Sequence, residues 1–133
     1  MDYFAYASNL NRKQMKERCP NSNPKFKAVL PNYKLIFSGW SRQSRGGKAS
    51  IKPFQGDKVN GAVYEISERE MRILDRIKGY PGGYDHLNVL VITEDGEAIK
   101  ALTYIMRRQS EELPPSREYL AIIQQGYRDW GIT

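Results

Sequence analysis

Seven stretches of this chain alternate apolar and polar side chains at the two-residue period of a pleated strand, and only three carry a helical period. The strand-like stretches lie near Tyr3–Tyr6, Lys25–Val29, Lys34–Ser38, Ala49–Pro53, Asn60–Ile66, His86–Thr93 and Ala98–Met106. Turn chemistry separates them at Pro31-Asn32, Gly46-Gly47, Gln55-Gly56-Asp57, Gly79 to Gly83 and Glu94-Asp95-Gly96, the last reading as a hairpin turn. The first helix is expected from about Asn11 to Arg18. The second opens with a capping box, Ser67 followed by Glu70, and carries Met71, Leu74 and Ile77 on one face. The third follows Pro114-Pro115-Ser116 and reaches about Trp130, with Tyr119, Ile122, Ile123, Gly126, Tyr127 and Trp130 as its stripe. Few and unevenly spread helices exclude a doubly wound sheet and predict an α+β fold. With 133 residues the chain reads as one domain, 1–133. Its expected core includes Phe4, Leu35, Phe37, Ile51, Val63, Ile66, Leu74, Val89, Val91, Leu102, Tyr104 and Ile123.

Composition narrows the chemistry. A single cysteine, Cys19, excludes an internal disulfide and a cysteine metal cluster, and one histidine, His86, disfavours zinc and any mechanism needing two imidazoles. No metal or cofactor is therefore expected. No apolar run approaches the roughly 20 residues that span a bilayer. Asp2, Arg12 and Lys13 do not suit a secretory signal, so a cytoplasmic protein without membrane contact is expected. The net charge of +6 is uneven: residues 1–52 carry 11 Lys and Arg against Asp2 and Glu17. Such a half can contact nucleic acid, draw in a small anion, or simply face solvent. The positives are scattered and no nucleic-acid motif accompanies them, so nucleic acid is not the expected partner.

The run Tyr3-Phe4-Ala5-Tyr6-Ala7-Ser8-Asn9-Leu10 passes from a short apolar strand through small polar residues into a helix. From the residues alone it fits either an ordinary strand entering a capped helix, or a turn whose N–H groups and Ser8 and Asn9 side chains grip an anion. Together with Leu74-Asp75-Arg76-Ile77-Lys78-Gly79-Tyr80-Pro81-Gly82-Gly83-Tyr84, this run resembles the γ-glutamylcyclotransferase family. Three further segments extend the resemblance, in order, over nearly the whole chain: Arg45-Gly46-Gly47-Lys48-Ala49-Ser50-Ile51, Gly61-Ala62-Val63-Tyr64, and Pro114-Pro115-Ser116 leading to Tyr119. The resemblance implies a compact, mixed, barrel-like sheet with about three flanking helices and a pocket at one end. It also allows a homodimer.

The activity it implies is an intramolecular acyl transfer. The α-amine of a γ-glutamyl peptide or amine attacks its own side-chain carbonyl, closing 5-oxoproline and expelling an amine, with no covalent enzyme intermediate. This needs a cradle for the α-carboxylate, donors for the oxyanion, and a base for the ammonium. By resemblance, Tyr3, Phe4, Ala5, Tyr6, Ala7, Ser8 and Asn9 build the cradle, with N–H groups around Ala7 and Ser8 as donors and Asn9 bracing the turn. Tyr84 and Tyr119 join the pocket, although spacing alone makes Tyr119 a core residue on a helix face. Ala7 stands where the family has glycine; if the turn needs positive φ, its methyl group costs about 1 kcal/mol. Lys78 stands where the family carries its proton-transferring glutamate. An ammonium there repels the substrate ammonium and donates where acceptance is needed. Three resolutions follow: burial makes Lys78 a neutral base, Asp75 or Asp85 takes over, or the protein is a silent member that binds a small acidic metabolite. Tyr6, Ser8, Lys78 and Tyr119 are expected to converge on one cavity.

Overall fold

In the computed structural model, which describes residues 1–132, five strands close into a barrel in the order β1-β3-β2-β4-β5. They are β1 (Asp2–Ala5), β2 (Asn23–Ser41), β3 (Gly46–Glu65), β4 (Tyr84–Thr93) and β5 (Ala98–Met106). All neighbours are antiparallel except β1 and β5, whose parallel pairing at Tyr3 and Leu102 closes the barrel. A 3₁₀ turn (Ala7–Leu10) links β1 to α1 (Arg12–Arg18); α2 (Glu68–Lys78) follows β3, and α3 (Arg117–Asp129) ends the fold. The expected α+β, barrel-like architecture with three helices is what the chain adopts.

Four of the seven expected strands are halves of two long ones. Pro31-Asn32 and Gln55-Gly56-Asp57 do not end strands; they face each other across the β2–β3 ladder. The register jumps from Pro31 opposite Lys58 to Tyr33 opposite Pro53. Asn32 and Gly56 both take positive φ there, and the Gly56 N–H donates to the Asn32 side-chain oxygen at 3.1 Å. Paired turn signals at one level of a ladder make a bulge that bends the hairpin without breaking it.

Gly46-Gly47 is also not the expected turn. The chain reverses over residues 42–45, with Arg45 at φ 59°, and the two glycines begin β3. Their lack of side chains serves close approach. A Cβ on Gly46 would lie 2.5 Å from the Ser116 nitrogen, and one on Gly47 2.1 Å from the Leu113 carbonyl oxygen. The Gly47 N–H instead donates to the Pro114 carbonyl at 2.9 Å, docking the segment that leads into α3.

β1 is buried on both pleat faces. Tyr3 and Ala5 join one cluster with Leu10, Met15, Tyr64, Leu74, Tyr104 and Trp130, while Phe4 and Tyr6 join another with Ile51, Val63, Val91 and Ile123. That explains its continuous apolar run. Most expected core positions are buried, but Leu35, Phe37 and Leu102 are only partly so. On the arm of β2 beyond the bulge the buried residues are Ile36 and Ser38, on the opposite pleat face from Leu35 and Phe37.

The α2 capping box forms in both directions: the Glu70 N–H donates to Ser67 Oγ and the Ser67 N–H to Glu70 Oε1. Met71 and Leu74 are buried as expected, whereas Ile77 is exposed, because the last turn runs past the core to the rim of a cavity. α1 is capped by Asn11, whose side chain accepts from the Gln14 N–H.

Gly47→Ala is expected to cost about 2–4 kcal/mol, since neither the Leu113 carbonyl nor the strand can yield without breaking the docking bond. Urea denaturation measures it, with the exposed turn substitution Gln43→Ala staying within about 0.5 kcal/mol.

Candidate functional site

A cavity of about 550 Å³ opens where the 3₁₀ turn, α1, the β2–β3 turn, the end of α2 and the start of α3 meet. Ser8, Arg18, Lys48, Lys78, Tyr84 and Tyr119 line its interior, and Ile77 and Ile122 stand exposed on its wall. Three of the four residues expected to converge, Ser8, Lys78 and Tyr119, thus share one space. Tyr6 does not line it; buried behind the turn, its hydroxyl donates to the Tyr104 carbonyl at 2.7 Å. Tyr3, Phe4, Ala5, Ala7 and Asn9 likewise form a buried backing and not a lining.

The turn is held from behind. Asn9 donates through its amide nitrogen to the Tyr3 hydroxyl at 2.8 Å and accepts from Arg18 at 2.7 Å, bracing the turn as expected. The Gln14 amide, oriented to satisfy both neighbours, donates to the Ser8 carbonyl at 3.1 Å and accepts from Arg18 at 3.2 Å. Ala7 sits at φ 55°, so the turn does demand the left-handed region, which costs its methyl group about 1 kcal/mol. Tyr6 precedes the turn without capping it through a side chain, leaving the first N–H groups without that partner.

The opposite wall rests on one peptide group. The Tyr84 hydroxyl donates to the Ala49 carbonyl at 2.6 Å, and the Tyr119 hydroxyl accepts from the Ala49 N–H at 3.4 Å. Tyr119 therefore keeps its own O–H free to donate. Burial raises the pKa of both phenols, so each is neutral near neutral pH.

Lys78 extends over the Tyr84 ring, its Nζ 4.9 Å from the centroid, and the Lys48 ammonium approaches the same ring at 5.9 Å. Among the described residues neither lysine has an ion-pair partner. Burial, and then the charges of Arg18 and Lys48, lower the Lys78 pKa from its ordinary value to about 8. Burial also lowers that of Arg18. Among the described residues Glu118 is the only carboxylate in the lining, against Arg18, Arg45, Lys48 and Lys78. The cavity is therefore cationic, with phenol and backbone donors around it and one lysine partly neutral at physiological pH.

Asp75 and Asp85 lie outside the lining. The Asp75 carboxylate accepts from the Tyr104 hydroxyl at 2.5 Å and pairs with His86 Nε2 at 2.6 Å, the imidazole itself stacked on Tyr80. Asp85 follows Tyr84 by one residue in β4, so its side chain takes the opposite pleat face, where it pairs with Arg107 at 2.9 Å. Sequence reasoning missed Arg18, Lys48 and Arg45. A signal for the first existed: Gln14 and Arg18 are four residues apart on α1 and share a face beside the buried Met15.

The cavity predicts its own titration. Lys48→Met removes a like charge, so the Lys78 midpoint should rise from about 8 toward the ordinary lysine range, as followed by NMR of the lysine side-chain resonances.

Known proteins resemble this chain in sequence and fold. The family described as gamma-glutamyl cyclotransferase, AIG2-like, matches residues 3–126. Human gamma-glutamylcyclotransferase is 33% identical over 135 residues, covering 98% of this chain and 71% of that protein, and the Bos taurus protein of the same name matches to the same extent. A solved gamma-glutamyl cyclotransferase structure superposes with a TM-score of 0.93 at 33% identity, covering 98% of this chain and 80% of that one. YkqA from Bacillus subtilis, at 23% identity and a TM-score of 0.84, shares the fold.

Proposed function

This chain belongs to the gamma-glutamyl cyclotransferase, AIG2-like family, and from that premise we propose that it releases 5-oxoproline from γ-glutamyl peptides or amines, with Lys78 handling the proton. The observation that carries the reading is the Lys78 amine itself, held in the cavity opposite Ser8 and Tyr119 with its pKa brought down to about 8. An amine with a pKa of about 8 is half neutral at pH 8 and about one-tenth neutral at pH 7, enough to serve as a general base.

In this mechanism the substrate α-carboxylate lies against Arg18 and the turn at Ser8, both in the cavity lining. Neutral Lys78 takes a proton from the α-ammonium. The freed amine attacks the γ-carbonyl carbon, forming the ring C–N bond, and the oxyanion accepts a hydrogen bond from the Tyr119 hydroxyl. As the bond to the leaving amine breaks, protonated Lys78 gives that nitrogen its proton. Neutral again, Lys78 takes the second proton from the ring nitrogen, leaving the lactam N–H, and passes it to the departing amine or to solvent. Asp75 and Asp85, both engaged elsewhere, take no part. Neighbouring cations lower the proton affinity of either kind of base; a carboxylate is already ionised at neutral pH and only loses basicity, whereas a lysine gains a neutral fraction that can accept a proton.

A second reading has its own support. If Lys78 stays protonated with ligand bound, the same cationic lining makes the protein a binder of a small acidic metabolite without turnover.

The deciding experiment is 5-oxoproline release from a panel of γ-glutamyl peptides and amines across pH. The base form of Lys78 is the deprotonated one, so kcat/KM should climb with pH through about 8. Lys78→Met should lose about 10²–10³-fold, and Lys78→Glu should retain turnover with the rising limb moved to acid pH. A silent unaltered protein that still binds these compounds would replace the enzyme reading with the binding one.

A further inference from the structure

We propose that this protein has a second ligand site, on the far side of α1 from the candidate active cavity, which binds a phosphate group, either the free ion or a small phosphate monoester. The site is a separate cavity of about 460 Å³ between α1, the residues that carry α1 into β2, and the end of β3. It does not rest on the reaction proposed above.

The sequence of α1 divides the helix between two cavities. Gln14 and Arg18, four residues apart, share the face that lines the candidate active cavity. Arg12 and Lys16, also four apart, lie about 200° around the helix from that pair and line the second cavity. Among the described residues no carboxylate lines this second space, and neither cation enters an ion pair. The acids bonded to its walls are committed. Asp129 accepts from the Arg12 N–H at 3.0 Å and from Gln125 at 2.9 Å. Glu70 accepts from the Asn21 N–H at 3.0 Å while completing the cap of α2.

Tyr64 is what points to a ligand. It borders this cavity at 2% exposure, and among the described residues its hydroxyl is the only buried side-chain polar atom without a hydrogen-bond partner. A buried donor left unpaired is destabilising, and phenylalanine would fill the same space without that cost. Burial pushes the Tyr64 pKa up to about 12, so the phenol keeps its proton and is available as a donor. The Arg12 guanidinium lies 4.1 Å from the centroid of the Trp130 ring, and the same ring meets Tyr64 edge-on at 5.6 Å. One indole thus holds both the cation and the phenol in place.

An oxyanion that enters here meets two cations and an O–H donor, and Asn21 and Asn23 in the lining bring further amides. Two positive charges with no acid among them match a dianionic phosphate group better than a monoanionic carboxylate, and several phosphate oxygens engage several donors at once. The volume suits a small molecule.

The test titrates inorganic phosphate at about pH 8, where it is mostly dianionic, and follows the Trp130 indole N–H by NMR. That N–H donates to the Leu10 carbonyl at 2.9 Å, and Trp40→Phe at an exposed position leaves it the single indole signal. Phosphate entering the other cavity would instead be reported by the Lys78 side chain. The expected result is a saturable Trp130 shift whose midpoint rises about tenfold or more in Arg12→Gln and in Lys16→Gln, and about fivefold in Tyr64→Phe. Lys16→Gln, at an exposed position off the indole, covers the case in which Arg12→Gln disturbs Trp130 or fails to fold. Acetate should bind at least about tenfold more weakly than phosphate. Glycerol phosphate tighter than phosphate assigns the site to an ester, and the reverse order to the free ion; either sustains it. A shift that never saturates, or a midpoint unmoved by Lys16→Gln and Tyr64→Phe, means an adventitious ion only and overturns the site. Acetate as tight as phosphate overturns the phosphate assignment. None of these outcomes depends on 5-oxoproline release, so the two readings fail separately.

Discussion

The first five residues of β3 hold the site together. Gly46 and Gly47 let the Leu113–Ser116 segment lie directly on the strand, and the Gly47 N–H fixes it there. Lys48 then projects toward the cavity, and the Ala49 peptide engages Tyr84 through its carbonyl and Tyr119 through its N–H. Ser50, fully buried, accepts from the Met106 N–H at 2.9 Å, tying the strand to the end of β5. Three segments, the start of β4, the end of β5 and the run from Leu113 to Tyr119, are thereby referenced to one backbone. A small displacement of β3 would move both tyrosines and a lysine together, which is the rigidity a near-attack geometry requires.

Much of this was legible in the chain and some was not, for identifiable reasons. The α2 capping box, the three helices and the α+β class follow from short-range chemistry, and short-range chemistry is what a sequence displays directly. The Pro31-Asn32 and Gln55-Gly56-Asp57 signals were read as strand ends because a turn residue announces only a backbone conformation. Whether that conformation reverses the chain or bends it depends on the partner across the ladder, here another positive-φ residue at the same level. Gly46-Gly47 misled in the same way: glycine serves both positive φ and close approach, and only the structure shows Leu113 and Ser116 pressed against it.

The cavity shows a similar division. Ser8, Lys78, Tyr84 and Tyr119 were picked out by resemblance and do share one space, but Arg18, Arg45 and Lys48 are ordinary charges until the barrel gathers them. Asp75 and Asp85 sit close to Lys78 and Tyr84 in sequence yet are removed from the cavity. A hydroxyl and an imidazole from neighbouring strands capture the first, and pleat alternation turns the second outward to Arg107. The long-range question of which charges are left without a partner is the one sequence reading answers least well, and it decides the electrostatics here.

Those unpartnered cations bear on how a lysine can work where an acid would be expected. Each added positive charge makes protonation of Lys78 harder, while the same charges attract the anionic ligand that makes it easier. The two effects act at different stages. Before binding, burial first, and then the charges of Arg18 and Lys48, hold Lys78 partly neutral. In the proposed mechanism, the α-carboxylate set against Arg18 then offsets part of that repulsion, and the affinity of Lys78 for a proton rises at the moment when a substrate ammonium is at hand to supply one. On the reading proposed here, ligand charge both fills the site and strengthens its base. On that reading a ligand whose carboxylate fails to reach Arg18 would leave Lys78 the weaker acceptor it is in the empty cavity, so recognition of the carboxylate and proton transfer are a single electrostatic event.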